Sequence, residues 1–285
     1  MLHQYAIIAH PVQHTMTPCM YHRAFAAAGI EGQVDRIDVT NEKLESFLTT
    51  VKTTNPLGLQ GLIVSLPLKQ DAAALVDELD STAKEIGAIN TIKIQDGKLI
   101  GYNTDWIGVM QAMEEKMAMP GARLTTLKWK NVLVVGGRGV SCAAIYAFKK
   151  MGARVFVMNR TEERAQQLAK HFDIEYLPYD FTTAQTFDVI FNGTLLGMDC
   201  YTSSVPIHFW EVAGNGIAFD AVYRHETTRF LSEAERAGWD TIHGKEMLAR
   251  QAIDQFQILT GHSVDVSVFY MAIGDAIEKY KSCKK

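Results

Sequence analysis

Short apolar runs alternate along the chain with longer segments in which apolar residues recur every three or four positions. Six runs have the length and residue types of buried strands: YAIIA, GLIVSL, NVLVV, RVFVMN, FDVIFNG and GIAFDAVY. In the longer segment TNEKLESFLTTVK, four apolar residues share one helix face: Leu44, Phe47, Leu48 and Val51. The alternation of strands and helices predicts an α/β fold with parallel strands.

Turn-forming and helix-capping residues indicate where the elements begin and end. Thr17 followed by Pro18 predicts a helix capped by Thr17, and Gly29 predicts its end. The pair Asp96-Gly97 predicts a tight hairpin between TIKI and LIGY. Further helices are predicted at about residues 70–79, 81–86, 105–117, 245–260 and 264–280, and in the segments CAAIYAFKKMG and TEERAQQLAKHF.

The composition narrows the class of protein. The 285 residues are 47% apolar and 21% charged, which is typical of a soluble globular protein with enough residues for two domains. A net charge of −4 and a pI near 6.1 argue against nucleic-acid binding, which usually requires a basic face. No apolar run is long enough to cross a membrane, and the first residues lack the basic lead-in of a signal peptide.

The cysteines and histidines show no pattern that indicates a disulfide framework or a metal site. Four cysteines are scattered without a paired motif: Cys19, Cys142, Cys200 and Cys283. Such thiols are expected to be reduced, so the sequence predicts a cytoplasmic protein. Because the nine histidines also lack metal-ligand spacing, no metal is expected.

A glycine-rich turn in VLVVGGRGVSCA is a candidate nucleotide site. Gly136, Gly137 and Gly139 lie between a predicted strand and a predicted helix. Glycines at such a turn allow the backbone to approach a pyrophosphate, which binds at the helix N-terminus. The alternative is an ordinary strand-to-helix turn. The regular strand–helix repeat that begins at Asn131 favours the first interpretation, because it predicts a Rossmann-type domain.

The end of the next predicted strand indicates which cofactor is bound. NAD sites commonly place a carboxylate there, whereas this chain has Asn159, Arg160 and Thr161, with Arg164 one turn later. Guanidinium groups without a carboxylate suit the additional phosphate of NADP, so NADP is predicted in preference to NAD. The alternative is that Thr161 only caps the helix and Arg164 pairs with a glutamate.

Lys69 lies just after the apolar strand GLIVSL and the proline that ends it, Pro67. A lysine at such a place is explained either by a side chain that reaches water from the strand end or by a catalytic task. The choice depends on the motifs that surround it, which occur in this order: AHPVQHTMTPCMYHRAF, GLIVSLPLK, EIGAINTIKIQDGKLIGYNTDWIG, NRT, FNGTLLGM, FDAVY and GKEMLARQA. With this ordered set, over almost its whole length, the chain resembles the shikimate/quinate dehydrogenase family.

The resemblance implies a fold and an activity. A substrate-binding domain is expected at residues 1–104, completed by 244–285, around a Rossmann-type NADP-binding domain at 105–243. The implied reaction is the reversible, NADP-dependent reduction of 3-dehydroshikimate to shikimate, a step of aromatic amino acid biosynthesis. The expected partner is this small-molecule substrate, and the expected assembly is a monomer or a homodimer.

The resemblance also implies a role for individual residues. Lys69 contacts the hydroxyl that is oxidised, and Asp105 is its partner. Thr15 and Thr17 hold the substrate carboxylate. The ring hydroxyls are bound by Ser65, Asn90, Tyr223 and Gln251. The cofactor is bound by Gly136, Gly137, Arg138, Gly139, Asn159, Arg160, Thr161, Arg164 and Gly244. Simpler alternatives are a helix cap for Thr17, a turn residue for Asn90 and an exposed helix residue for Gln251.

The chain departs from the family pattern at three places. Thr15 and Thr17 stand where two serines, or a serine with a threonine, are usual, and a threonine at the second position goes with tolerance of quinate. Arg138 replaces a glycine, so it either adds a phosphate contact or weakens cofactor binding. A proline common after Tyr223 is absent. The alternatives are a quinate or aminoshikimate dehydrogenase and a catalytically idle NADP-binding regulatory protein, against which retention of Lys69 and Asp105 argues.

Overall fold

A computed structural model describes residues 3–13, 15–179, 186–198 and 201–282, with side chains up to residue 278. Contacts divide the chain into two compact units. The split unit comprises Met1–Thr104 and Ala249–Lys285, and the central unit comprises Asp105–Leu248. The second boundary falls inside the helix Gly244–Thr260, five residues beyond the predicted residue 243, because that helix carries the chain from one unit to the other.

The split unit is built on a six-stranded mixed sheet. Its strands are β1 (His3–Ala9), β2 (Gly32–Asp38), β3 (Gly61–Val64), β4 (Glu78–Leu79), β5 (Thr91–Gln95) and β6 (Lys98–Tyr102). In the order β2-β1-β3-β5-β6-β4, the first three strands are parallel, whereas β5 runs antiparallel to both of its neighbours. The predicted hairpin is present, with positive φ angles of 52° at Asp96 and 75° at Gly97.

Helices cover this sheet and bury its apolar side chains. They are α1 (Thr17–Ala28), α2 (Asn41–Thr53), α3 (Lys69–Ala73), α4 (Ser81–Ile86), α9 (Gly244–Thr260), which begins in the central unit, and α10 (Val266–Ser282). On α2, the predicted face is buried at Leu44, Leu48 and Val51. An aromatic cluster joins β1, α1, α9 and α10 through Tyr5, Tyr21, Phe25, Phe256 and Phe269.

Two local predictions for this unit are wrong. The helix predicted at 70–79 ends at Ala73, and Glu78–Leu79 forms β4 instead, because its backbone pairs with β6. Thr17 is the first helical residue of α1 and not its cap. Its own backbone N–H donates to the hydroxyl of Thr15, at 3.3 Å.

The central unit contains a second six-stranded sheet, which is entirely parallel. Its strands are β7 (Asn131–Val135), β8 (Arg154–Met158), β9 (Glu175–Tyr176), β10 (Val189–Asn192), β11 (Ile217–Asp220) and β12 (Asp240–Ile242). Its helices are α5 (Asp105–Ala118), α6 (Gly139–Lys150), α7 (Glu162–Phe172) and α8 (Arg229–Arg236). The strand order β12-β11-β10-β7-β8-β9 is that of a Rossmann domain, read from its far edge.

The four inner strands of the central unit, β7, β8, β10 and β11, are almost completely buried, as expected for a parallel sheet covered on both faces. The carboxyl ends of β7 and β10 meet at the point where the strand order reverses, which is where such sheets bind ligands. Within the described ranges, no helix has the length and apolar character required to span a bilayer. Over the same residues, no cluster of side chains could ligate a metal ion, and Cys200 and Cys283 lie outside them.

Candidate active site

Thr15 and Thr17 lie together where β1 leads into α1. The Oγ1 atom of Thr15 is 3.0 Å from the Oγ1 atom of Thr17, and both residues are half-buried. Arg36 of β2 donates a hydrogen bond to the backbone oxygen of Thr15, at 3.1 Å. The pair therefore presents two adjacent hydroxyl groups at the first turn of α1, an arrangement suited to a carboxylate.

Ser65 and Lys69 occupy the turn that follows β3. The backbone N–H of Ser65 donates to Ile8 at 2.9 Å, which fixes the turn against the end of β1. The backbone oxygen of Ser65 accepts from Leu68, so the chain folds back and α3 begins at Lys69. The backbone oxygen of Lys69 accepts from Ile89 at 2.8 Å, and this bond joins Lys69 to the segment that carries Asn90.

Asn90 is buried in a network of polar side chains, with 2% of its surface exposed. Its amide nitrogen donates to the hydroxyl of Thr104 at 2.8 Å and to the Oε1 atom of Gln251 at 3.0 Å. Its amide oxygen accepts from the backbone N–H of Thr104 at 3.0 Å and from the hydroxyl of Thr91 at 2.8 Å. Asn90 is therefore more than a turn residue, and Gln251 is buried, not exposed on its helix.

Further residues that sequence reasoning missed complete this network. Gln255 donates to the backbone oxygen of Asn90 and to the hydroxyl of Thr91, both at 2.9 Å. Tyr21 in turn donates to Gln255 at 3.0 Å. The available signal was the spacing of Gln251 and Gln255, since residues four apart lie on the same helix face and buried amides require partners.

Two glycines of the turn at the end of β7, Gly136 and Gly137, are crowded by neighbouring atoms. Gly136 has a φ of +128°, and a Cβ there would lie 2.7 Å from the hydroxyl of Ser141 and 2.9 Å from the backbone of Gly193. A Cβ on Gly137 would lie 2.8 Å from the side chain of Arg164. These glycines let the backbone approach the N-terminus of α6, which is the geometry that pyrophosphate binding requires.

Arg138 is accommodated in this turn without backbone strain. Its φ of −103° and ψ of −179° are extended values that any residue adopts. Its side chain is exposed at the N-cap position of α6. The backbone at this position therefore has no need of glycine, and a cation stands beside the candidate pyrophosphate site.

The end of β8 carries cations with no acidic partner in the described part of the chain. Arg160 and Arg164 are both exposed, and the alternative pairing of Arg164 with a glutamate is not formed among the described residues. Asn159 donates to the backbone oxygen of Thr161 at 2.9 Å and so holds the turn between them. Thr161 occupies the N-cap position of α7, but its side chain makes no cap hydrogen bond. The group fits the 2′-phosphate of NADP.

Three predicted site residues lie at the start of a helix or after a strand in the central unit. Asp105 is buried and begins α5 directly after Thr104. Tyr223 is half-buried in the segment after β11. Gly244 begins α9, and a Cβ there would lie 2.5 Å from the backbone oxygen of Val222, so the start of this helix packs against the Tyr223 segment.

A buried carboxyl group not singled out from the sequence supports the same segment. Asp220, at the end of β11, accepts hydrogen bonds from Asn192 at 2.9 Å, from the backbone N–H of Val222 at 3.0 Å and from the hydroxyl of Thr228 at 2.5 Å. Burial raises the pKa of Asp220 to about 7, although these hydrogen bonds oppose the shift. One carboxyl group thus ties together β10, the Tyr223 segment and the start of α8.

Comparison with known proteins shows to which family the chain belongs. Residues 7–92 match the profile of the shikimate dehydrogenase substrate binding domain, and residues 120–197 match that of shikimate / quinate 5-dehydrogenase. A shikimate dehydrogenase (NADP(+)) of Aquifex aeolicus is 32% identical over 271 residues, which cover 95% of this chain and 96% of that protein. The chain belongs to the shikimate dehydrogenase family.

The fold of this shikimate dehydrogenase family member is also similar to solved structures. The crystal structure of shikimate 5-dehydrogenase from Thermus thermophilus, in complex with NADP(H) and shikimate, superposes with a TM-score of 0.83 at 32% identity. The match covers 96% of this chain and 99% of that one. The predicted fold class, an α/β substrate domain with a Rossmann-type NADP-binding domain, is confirmed.

One relative of this shikimate dehydrogenase family member is a larger, bifunctional protein. The chloroplastic 3-dehydroquinate dehydratase/shikimate dehydrogenase of Arabidopsis thaliana is 37% identical over 268 residues. The match covers 90% of this chain but only 44% of that relative. The similarity therefore concerns less than half of the plant protein.

Proposed function

We propose that the protein is an NADP-dependent oxidoreductase that reversibly reduces 3-dehydroshikimate to shikimate. The observation that carries the proposal is the arrangement around Lys69. Its backbone oxygen accepts a hydrogen bond from the backbone N–H of Ile89. Asn90, which follows Ile89 in the chain, donates a hydrogen bond to Gln251. A proton donor and amides able to recognise a polyol thus lie at one end of the same sheet, which suits reduction of a ring ketone.

The substrate carboxylate is assigned to Thr15 and Thr17. Their hydroxyls are adjacent and can both donate to one anion at the first turn of α1. The ring hydroxyls are assigned to Ser65, Asn90, Tyr223 and Gln251. Since both amide hydrogens and the amide oxygen of Asn90 already have protein partners, the network orients the amides before a substrate hydroxyl replaces one partner.

Lys69 is assigned to proton transfer and Asp105 to holding its ammonium group. In the reduction, the ammonium donates a proton to the ketone oxygen, and in the oxidation, the amine accepts the proton of the hydroxyl. The residue before Asp105 supports this pairing. Thr104 is hydrogen-bonded to Asn90, and Ile89, the neighbour of Asn90, is hydrogen-bonded to the backbone of Lys69. NADP, when bound, supplies or accepts the hydride.

The cofactor is assigned to two groups of residues in the central unit. The pyrophosphate is assigned to the turn of Gly136, Gly137, Arg138 and Gly139, where neighbouring atoms leave little room for a Cβ atom on Gly136 or Gly137. The 2′-phosphate is assigned to Asn159, Arg160, Thr161 and Arg164, where cations stand at the end of β8. Gly244 is assigned to the same cofactor site.

A crossed assay tests this function. Purified protein is given shikimate or quinate, each with NADP or NAD, and NADPH or NADH formation is followed by absorbance. The expected result is the highest kcat/KM for shikimate with NADP. Faster turnover of quinate would make the protein a quinate dehydrogenase, an alternative that Thr17 keeps open. Binding of NADP without turnover of either acid would instead identify an idle, regulatory protein.

Assembly and location remain predictions from the sequence. We expect a monomer or a homodimer in the cytoplasm, acting on a small molecule and not on nucleic acid. Light scattering after size-exclusion chromatography measures the assembly, and fractionation of cells with an antibody to the protein measures the location.

A further inference from the structure

Arg36 stands beside the hydroxyl pair assigned to the carboxylate. It lies on β2, opposite Ile7 of β1, and its side chain is exposed. Its guanidinium donates to the backbone oxygen of Thr15 at 3.1 Å. Among the described residues, the backbone oxygen of Thr15 is the hydrogen-bond partner of Arg36, and no carboxylate forms an ion pair with Arg36. A guanidinium without an ion-pair partner in the described part of the chain is thus hydrogen-bonded to the residue that carries one of the two hydroxyls.

The two acidic neighbours of Arg36 on β2 bind other residues. Asp38 shares hydrogen bonds with His10 at 2.6 Å and with Gln13 at 3.1 Å, and the bond to His10 holds its pKa below the ordinary value. Asp35 points to the opposite face of the strand, as alternate residues do, and accepts from Gln4. Asp38, which lies on the same face of β2 as Arg36, is therefore engaged with His10 and Gln13, whereas Arg36 is engaged with Thr15.

The hydroxyls alone leave a carboxylate uncompensated. Two hydroxyl groups can donate hydrogen bonds to an anion, but they carry no net charge. Moving an anion from water into a half-buried site is costly unless positive charge lies near. The N-terminus of α1 contributes only partial charge, and Pro18 removes one of its N–H donors. The guanidinium of Arg36, hydrogen-bonded to the backbone oxygen of Thr15, supplies a full positive charge near the carboxylate.

We propose that Arg36 is a specificity-determining residue that selects negatively charged substrates over neutral analogues, while Thr15 and Thr17 orient the carboxylate. The proposal rests on the proposed function, since it concerns the same substrate. A single charge acting over several ångströms in a solvent-exposed setting changes affinity by about three- to ten-fold. The effect acts on binding and leaves proton and hydride transfer unchanged, because the carboxylate does not react.

The variant Arg36→Gln removes the charge. The glutamine side chain is shorter and does not reach the backbone oxygen of Thr15 as arginine does, so the comparison of a charged with an uncharged substrate separates the effect of the charge from that of the lost hydrogen bond. We expect KM for shikimate to rise about three- to ten-fold at low ionic strength, with kcat unchanged. KM for the methyl ester of shikimate, which carries no charge, should stay the same. The difference for the acid should shrink at about 0.5 M salt, where exposed charges are screened.

Two further variants complete the experiment. Arg36→Lys keeps the charge and should restore most of the affinity for the acid. Arg23→Gln removes the same charge from α1, where Arg23 is paired with Asp275, and should leave KM unchanged for both compounds.

The outcomes separate this inference from the proposed function. If wild-type protein oxidises shikimate and Arg36→Gln raises KM equally for acid and ester, Arg36 only holds the backbone and the inference is overturned. An unchanged KM for the acid overturns it as well. If wild-type protein oxidises neither compound, the proposed function itself fails and the inference fails with it.

Discussion

At the scale of single residues, the role proposed for Lys69 depends on its position at the start of α3, after the turn that follows the buried strand β3. The strand residues Leu62, Ile63 and Val64 are nearly inaccessible, and Leu68 is completely buried, so the backbone of the next residue, Lys69, has little freedom. The bond from Ile89 to the backbone of Lys69 restricts it further. A rigid backbone is what positions a proton donor at a reacting oxygen.

Replacing Lys69 should therefore remove proton transfer and little else. We expect Lys69→Ala to lower kcat by about two to four orders of magnitude, the usual scale for general acid–base catalysis, with NADP affinity nearly unchanged. Steady-state kinetics and a cofactor titration measure both quantities. Lys84→Ala, which removes an exposed lysine from α4 in the same unit, is the matched control and should have wild-type kcat. A Lys69→Ala enzyme that keeps most of its turnover would rule out this assignment.

Arg160 should discriminate between the two cofactors. Because NAD lacks the 2′-phosphate, we expect Arg160→Ala to raise KM for NADP about ten-fold and to leave KM for NAD unchanged. Arg154→Ala removes a cation from the opposite end of β8, where it pairs with Glu175, and should change neither value. An equal loss with both cofactors after the Arg160 change would mean that Arg160 supports the fold.

At the scale of elements, the turn between β7 and α6 depends on one glycine. Gly136 combines a left-handed backbone with neighbours on both sides, Ser141 and Gly193, so a side chain there meets strain and a clash together. We expect Gly136→Ala to lower the melting temperature and to weaken NADP binding about ten-fold or more, because the N–H groups of the turn are displaced. Calorimetry and a fluorescence titration with NADPH measure these effects.

Gly58→Ala is the control for this prediction. Gly58 also has a positive φ, +61°, but a Cβ there would meet nothing within 4 Å. The change should cost about 1 kcal/mol of stability and leave NADP binding as in the wild type. If Gly136→Ala behaves like Gly58→Ala, the crowding at the turn is not what the cofactor site requires.

Elements with strong local signals were predictable from the sequence, and those set by distant contacts were not. The face of α2 and the Asp96-Gly97 hairpin follow from periodicity and turn chemistry within a few residues. The two-residue strand β4 exists only because β6 pairs with it, so a helix was predicted there instead. At the candidate site, Lys69 and the threonines could be proposed from the family resemblance, whereas the hydrogen bond between Asn90 and Gln251 joins residues 161 positions apart and leaves no local signal.

At the scale of the whole molecule, Asp220 should make the stability of the central unit depend on pH. Its pKa is about 7 in the fold and near 3.8 as the ordinary value, so between these values the folded state binds the proton more tightly. The free energy of unfolding should therefore fall as pH rises from about 4 to about 7 and then level off. The cause is that ionising the carboxyl group of Asp220 in its buried position costs free energy that ionisation in the unfolded chain does not.

Asp220→Asn isolates this contribution. The amide oxygen of asparagine can accept from Asn192 and Val222, and the hydroxyl of Thr228, which donates to Asp220 in the wild type, can accept from the amide N–H instead; the amide does not ionise. Between pH 5 and pH 8, we expect the wild type to lose roughly 2–3 kcal/mol relative to the variant in the transition that unfolds the central unit. Urea denaturation at several pH values measures this, and parallel pH curves for the two proteins would contradict it.

The division of the split unit along the chain has a consequence for protein synthesis. Residues 249–285 leave the ribosome after the whole central unit, yet α10 packs on α1, and Phe256 and Phe269 close the aromatic cluster around Tyr21. Until then, this apolar face of the nascent chain stays uncovered, whereas the sheet of the central unit is continuous and can fold first. We expect a chain stopped after Leu248 to resist protease over residues 105–248 and to be cleaved rapidly within residues 1–104, so growing chains should depend on chaperones most strongly just before the last helices emerge.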